Sequence, residues 1–215
     1  MQRYDPNRQR LALGLAFLAG QVDAIGFLVA GGYFTSFMSG NTTRLGTDLV
    51  AAPVLAIGPA AIIGSFLAGV IAGAIVAARW PGRHKRSLLA GVAGLLGCGA
   101  LAAAYGHGLA FLAIGATAMG LSNNVFTREG EVTVGVTYMT GALVRFGQGL
   151  ALRIAGRPAE AMRGYGRLWC ALASGAIFGA WLHALDPGRA PLASFGLALL
   201  LCAFAFGIER RDAGR

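Results

Sequence analysis

Asp23 is the residue whose position most demands a chemical explanation, because its carboxylate lies near the middle of a long apolar stretch, residues 11–34. Charge at the centre of a bilayer costs about 2.5–3.5 kcal/mol on insertion scales, so such a group must face a partner or a wet cavity. It could carry a proton or hold a cation there, or serve as a structural acceptor for hydroxyls and amides of a neighbouring helix. Gln21 belongs with the same candidate site. Asn123 and Asn124 occupy a comparable place in a later apolar stretch, as ligands or as glue between helices.

A second group of candidates follows each of these positions. Ser39-Gly40-Asn41-Thr42-Thr43 places hydroxyls and an amide around a glycine, and Thr140-Gly141 repeats the core of that pattern. A Ser or Thr before a short helix caps free backbone N–H groups, and such N–H groups together form an anion site. Two half-helices meeting at mid-membrane through these turns would make a pore or a binding pocket. The plainer alternative is that Gly40 and Gly141 are there for tight packing. Arg44 and Arg145, about one turn beyond the glycines, could gate the mouth or contact an anion; they could also reach to lipid headgroups.

Other chemistry finds no support. No zinc-protease, nucleophile-elbow, phosphate-loop or Cys-x-x-Cys pattern occurs, so we expect no enzyme, no metal and no cofactor. Cys98, Cys170 and Cys202 lie within apolar stretches and read as small buried packing residues. His107 and His183 have no metal-spaced companion, and Arg128, Glu129 and Glu131 read as a solvated cluster.

The elements that hold these residues follow from composition. Of the 215 residues, 56% are hydrophobic and 13% charged, against roughly 45–50% and 25% in soluble domains. A spanning helix needs roughly 20 apolar residues, and the candidates are 11–34, 57–78, 88–105, 109–126, 168–185 and 192–208. The first is too long for a signal peptide, and near-continuous apolar runs exclude an alternating barrel pattern. All 18 Lys and Arg except Arg44 and Arg189 fall on one side if both termini are cytoplasmic. That asymmetry fits a multi-pass inner-membrane protein and makes a nucleic-acid partner unnecessary for the net charge of +9.

The second half of the chain echoes the first. Met38-Ser39-Gly40 with Arg44 and Gly46 matches Met139-Thr140-Gly141 with Arg145 and Gly147; Gly20 to Asp23 matches Gly120 to Asn123. Gly69, Gly73, Pro81, Gly82 and Arg83 match Gly175, Gly179, Pro187, Gly188 and Arg189. The expected fold class is therefore an all-α membrane protein with about six transmembrane helices in a 3+3 inverted repeat. It forms a single domain, 1–215, with halves at about 10–105 and 109–208. Segments 33–52 and 132–152 are too polar for a free span and too apolar for solvent, so each is expected to be a broken or re-entrant segment, with a short helix starting near Ser39-Gly40 or Thr140-Gly141. Gly64, Gly69, Gly73, Gly175 and Gly179 provide close-packing surfaces within the bundle or between subunits.

Residues 20–28, GQVDAIGFL, followed by 34–42, FTSFMSGNT, resemble the opening signature of the YoaK family of bacterial membrane proteins, G-x-V-D-A-x-G-F/Y and then F-x-S-x-M-T/S-G-N. Ser39 keeps the hydroxyl where Thr is common. The resemblance covers essentially the whole chain in length and span pattern, and implies a polytopic membrane protein with Asp23, Gly40 and Asn41 as motif positions. The expected function is a small transporter or channel for an unidentified small solute, embedded in the lipid bilayer, with a homodimer as one arrangement. The alternative is a membrane-embedded scaffold or assembly factor.

Overall fold

The computed structural model describes residues 5–80, 84–128, 131–132, 135–159 and 162–213. Of the residues named above, Pro81, Gly82, Arg83 and Glu129 lie outside them, and Arg128 and Glu131 are described in backbone only. The elements are α1 (Pro6–Val29), α2 (Met38–Ala51), α3 (Ile57–Arg79), α4 (His84–Ala104), α5 (Gly108–Ser122), β1 (Thr127–Arg128), β2 (Glu131–Val132), α6 (Met139–Ile154), α7 (Met162–Leu185) and α8 (Ala190–Ala213). The two strands form one small antiparallel ladder with Thr127 opposite Val132.

Helices α1, α3, α4, α7 and α8 are long and apolar enough to cross a membrane, and α5 is a shorter apolar helix of 15 residues. Five of the six expected spans are thus recovered as helices long enough to cross, the sixth, 109–126, being the shorter α5, and two of the boundaries change. The first ends at Val29 rather than residue 34, because Gly31 and Gly32 take φ of 73° and 94° and turn the chain out of the helix. The fourth ends at Ser122 and continues through turns to Phe126. At its other end α1 starts cleanly: the Asp5 carboxylate accepts from the Asn7 and Arg8 N–H groups, and Pro6 fills the first turn.

α1 is the central helix. Leu11, Leu15, Leu18, Val22 and Ile25 are all buried. By contrast α3 and α7 are mostly exposed, and their large apolar residues recur every four positions: Leu67, Ile71 and Ile75 on α3, and Ile177, Trp181 and Leu185 on α7. Such a stripe is stable only against hydrocarbon or another protein surface. Cys98 and Cys170 are exposed in the same way; only Cys202 is buried, which corrects the expectation for the first two. An apolar run of a spanning helix does not distinguish its inner from its outer face, and so gave no warning of this.

The backbones of two helix pairs come very close. A Cβ on Gly20 would collide with the Leu172 carbonyl oxygen, and one on Gly175 with that of Phe17; Gly179 similarly abuts Gln21. Along α1 and α7 these contacts advance together, so the two helices run parallel. In the other pair, Gly120 abuts the Phe66 carbonyl and Gly69 that of Thr117, so α5 and α3 are also parallel. Gly115 lies against Val22 and Gly26 against Leu112, setting α5 antiparallel to α1. α4 pairs antiparallel with α8, through Gly97 on Phe195 and an ion pair between Arg86 and Glu209. Glycine at these crossings lets dispersion and weak Cα–H contacts hold helices that gain nothing from hydrophobic burial in lipid.

Gly20→Ala and Gly175→Ala are each expected to lower stability by about 1–3 kcal/mol through overpacking, read as a lower unfolding midpoint in detergent. Gly64→Ala, where a Cβ meets open space, is expected to leave it unchanged or raise it slightly.

Candidate functional site

The site is built on a hook. After Gly31 and Gly32 the chain runs back beside α1 without regular secondary structure, and Asp23 holds it there. Its Oδ1 accepts from the Thr35 N–H (2.8 Å), the Thr35 hydroxyl (2.8 Å) and the Ser36 N–H (2.7 Å), and its Oδ2 from the Ser36 hydroxyl (2.6 Å). Asp23 precedes the end of α1 at Val29 by six residues, about 9 Å along the axis at 1.5 Å per residue. The segment therefore returns to the depth of the α1 interior before α2 begins. Asn41 completes the hold: its Nδ2 donates to the Phe34 carbonyl (2.7 Å) and its Oδ1 accepts from the Phe34 N–H (3.0 Å). Side chains thus take the place of a neighbouring strand for a backbone that has none.

The second half makes a reduced version. Asn123 donates from Nδ2 to the Thr137 hydroxyl (3.0 Å), which in turn lies 3.2 Å from Asn123 Oδ1. Asn124 takes no part: its Nδ2 reaches the Val70 and Gly120 carbonyls at 3.1 and 3.4 Å, tying α5 to α3.

The short helices start at Met38 and Met139, one residue before the expected positions. The N-cap residues are Phe37 and Tyr138, and neither helix carries a side-chain cap. Capping by Ser39 and Thr140 is therefore corrected: both lie inside the first turn. The first backbone N–H groups of each helix lack intrahelical acceptors by construction and point from the tips. Farther along, the Thr42 and Thr43 hydroxyls bond back to the Met38 and Ser39 carbonyls, which satisfies them within α2.

Two adjoining hollows surround the tips. The larger, about 580 Å³, runs between α1, α7 and the irregular segment before α2, and is lined by Asp23, Phe27, Phe34, Trp169 and Leu172 among others. The smaller, about 300 Å³, includes Ser39, Phe66, Thr140 and Gly141. Ser36, Phe37, Thr137, Met139 and Thr140 border both. Four of the residues expected to bind, Asp23, Ser39, Thr140 and Gly141, thus come together. Gly40 packs on the Phe37 ring, and Asn41 and Thr42 stand behind the tip rather than in the hollows. Gln21 is fully buried toward α7, its amide without a hydrogen-bond partner and away from both linings.

Neither arginine lines a hollow. Arg44 leans over the Tyr33 ring, 5.4 Å from its centroid, with Nη2 3.5 Å from the Gly31 carbonyl. The Tyr33 hydroxyl donates to Asp48 (3.1 Å). Arg145 donates to the Tyr165 hydroxyl (2.6 Å) and covers its ring. Among the described residues no cluster of His, Cys, Asp and Glu could hold a metal ion.

Sequence reasoning missed Phe27, Phe34, Phe37 and Trp169 as wall residues. The first three stand close to Asp23 in sequence but looked like ordinary apolar span. Trp169 belongs to a helix more than a hundred residues away, and no local pattern points to it.

The sequence pattern of DUF1275, described as a protein of unknown function, matches residues 11–206. A UPF0700 transmembrane protein of Rhizobium meliloti (strain 1021) is 39% identical over 222 residues, covering 95% of this chain and 91% of that protein. No solved structure matches. With the long apolar helices, these likenesses place the chain among helical membrane proteins.

Asp23→Ala leaves two N–H groups and two hydroxyls without their acceptor and is expected to cost about 3 kcal/mol or more; Asp23→Asn, which keeps one oxygen, is expected to cost less. Asn41→Ala is expected to cost about 1–3 kcal/mol. Chemical denaturation in detergent checks the order; Asp23→Ala as stable as the parent would refute the hook as a structural tie.

Proposed function

The chain belongs to the DUF1275 family, and on that footing we propose that it is a small transporter or channel whose solute passes between the α2 and α6 tips. We place it more finely with the YoaK members on residues 20–46, and read it as two inverted halves. The halves supply matching crossings: Gly20 on the Leu172 carbonyl corresponds to Gly120 on that of Phe66, and Gly175 on Phe17 to Gly69 on Thr117. Their first helices, α1 and α5, run antiparallel, as inversion requires. Each half then contributes a short helix starting at membrane depth, where irregular backbone is tolerated only against protein or a water-filled cavity.

The observation that carries this reading is that Ser36 and Phe37 from one half border the same two hollows as Thr137 and Thr140 from the other. Inverted-repeat transporters bind substrate at such junctions of broken helices. An inner-membrane location with both termini cytoplasmic accords with the basic residues and with the Arg86–Glu209 pair, which brings the α4 start and α8 end to one end of the bundle.

What weighs for transport over the scaffold reading is that Gly69, Gly73, Gly175 and Gly179 are used inside the bundle, against Thr117, Asn124, Phe17 and Gln21, while Gly64 of the same stripe meets open space.

Single cysteines replacing Ser39 and Thr140, in a chain whose Cys98, Cys170 and Cys202 are changed to Ala, test the pathway. Both are expected to react with a membrane-impermeant methanethiosulfonate reagent from at least one side of sealed vesicles, and a cysteine at exposed, lipid-facing Ile71 to stay unmodified. Protection of both tip positions from both sides would defeat the conduction reading.

A further inference from the structure

The wall of the larger hollow has a particular chemistry. Three phenylalanines form a chain along it, Phe27 to Phe34 with centroids 5.2 Å apart and Phe34 to Phe37 at 5.1 Å, and Trp169 faces them from α7. Among the described residues Asp23 is the only ionisable side chain in the lining. None of the ion pairs identified among the described residues includes it, and Arg44 and Arg145 are engaged with Tyr33 and Tyr165. Its bonds are also unevenly shared: Oδ1 accepts three and Oδ2 accepts one, from the Ser36 hydroxyl. Oδ2 therefore keeps capacity for a further donor or a positive charge.

Aromatic faces attract a cation, most strongly where water is excluded, and an unpaired carboxylate beside them adds full charge attraction. The same carboxylate repels anions. A small metal ion is poorly served, since it needs six or more oxygen ligands or near-ideal octahedral geometry, and most of this wall is hydrocarbon. The mouth decides the route. Phe27, Leu28, Phe37, Leu143 and Trp169 are between 39% and 46% exposed, so the hollow opens on the apolar flank of the bundle. A ligand entering there must itself be at home in hydrocarbon. At about 580 Å³ the space is that of a small-molecule site.

We propose that this hollow binds a lipophilic organic cation, a hydrophobic amine or quaternary onium, with its charge at Asp23 and its apolar body between Phe27, Phe37 and Trp169. The inference rests on the reading above that the tips enclose the solute site, and gives that site its substrate class.

The test uses the full chain in lipid nanodiscs with Trp80→Phe and Trp181→Phe, which leaves Trp169 as the one tryptophan of three. Its fluorescence is titrated with tetraphenylphosphonium and with tetraphenylborate, nearly the same shape with opposite charge, and empty nanodiscs are subtracted. Saturable quenching by the phosphonium is expected, with borate at least tenfold weaker. Asp23→Asn is expected to weaken the phosphonium at least tenfold. Phe37→Leu, at an exposed position, is expected to weaken it at least threefold with the unfolding midpoint unchanged. Equal or tighter binding of borate, or undiminished phosphonium binding by Asp23→Asn, overturns the proposal; if Asp23→Asn does not fold, the borate comparison and Phe37→Leu decide. Phosphonium binding with the tip cysteines unreactive upholds the cation site and removes conduction. Reactive tips without phosphonium binding do the reverse.

Discussion

The four hydrogen bonds that Asp23 accepts from Thr35 and Ser36 are the constraint on which the rest of the structure depends. An irregular backbone segment inside a helical bundle has no neighbouring strand, and each unpaired buried N–H would cost about 1–3 kcal/mol. Here two side chains supply the missing ladder: Asp23 answers the N–H groups of residues 35 and 36, and Asn41 answers both polar groups of Phe34. With those groups satisfied, the segment can lie beside α1, and α2 can start from inside the bundle rather than at its edge. The cavity, its aromatic wall and the meeting of the tips all follow from where that segment is pinned.

Pinning needs a firm base, and glycine provides it. α1 can act as the post for the hook because Gly20, Gly175 and Gly179 let α7 lie directly against its backbone. The same device fixes α5 on α3. Bulkier residues at these crossings would push the pairs apart and widen the space around the tips, so the packing surface and the site share one set of small side chains. The large apolar residues face outward on α3 and α7, where a soluble protein would have polar ones.

Much of this was legible in the sequence, and for identifiable reasons. Span positions follow from long apolar runs, and Asp23 stood out because a carboxylate in such a run is costly. The interruption after α1 was visible as the broken segment expected at 33–52, but the end of the helix itself was placed at 34 rather than 29, since Gly31 and Gly32 are embedded in residues as apolar as a span. Asn41 was grouped with its neighbours as a ligand, whereas it faces back to Phe34; a sequence gives spacing and leaves side-chain direction open. The outward faces of Cys98 and Cys170 were lost in the same way. Trp169 needed the fold itself, because only the α1–α7 crossing brings it to the hollow.

The two hooks are not equals, and the difference has a direction. Where the first has a carboxylate with four donors, the second has Asn123 exchanging hydrogen bonds with one threonine. The position matching Asn41 is Ala142, which has no polar side chain, and the one matching Phe34 is Gly135. Among the described residues fewer side-chain hydrogen bonds hold the α6 tip, while α6 buries Met139, Ala142 and Gly149 where α2 buries only Asn41. The α2 tip is thus fixed mainly by the polar ties of its hook, and the α6 tip mainly by packing. The charge and three of the rings, Phe27, Phe34 and Phe37, belong to the half that the Asp23 hook fixes, and a binding site keeps its geometry where its supports are locked by such ties.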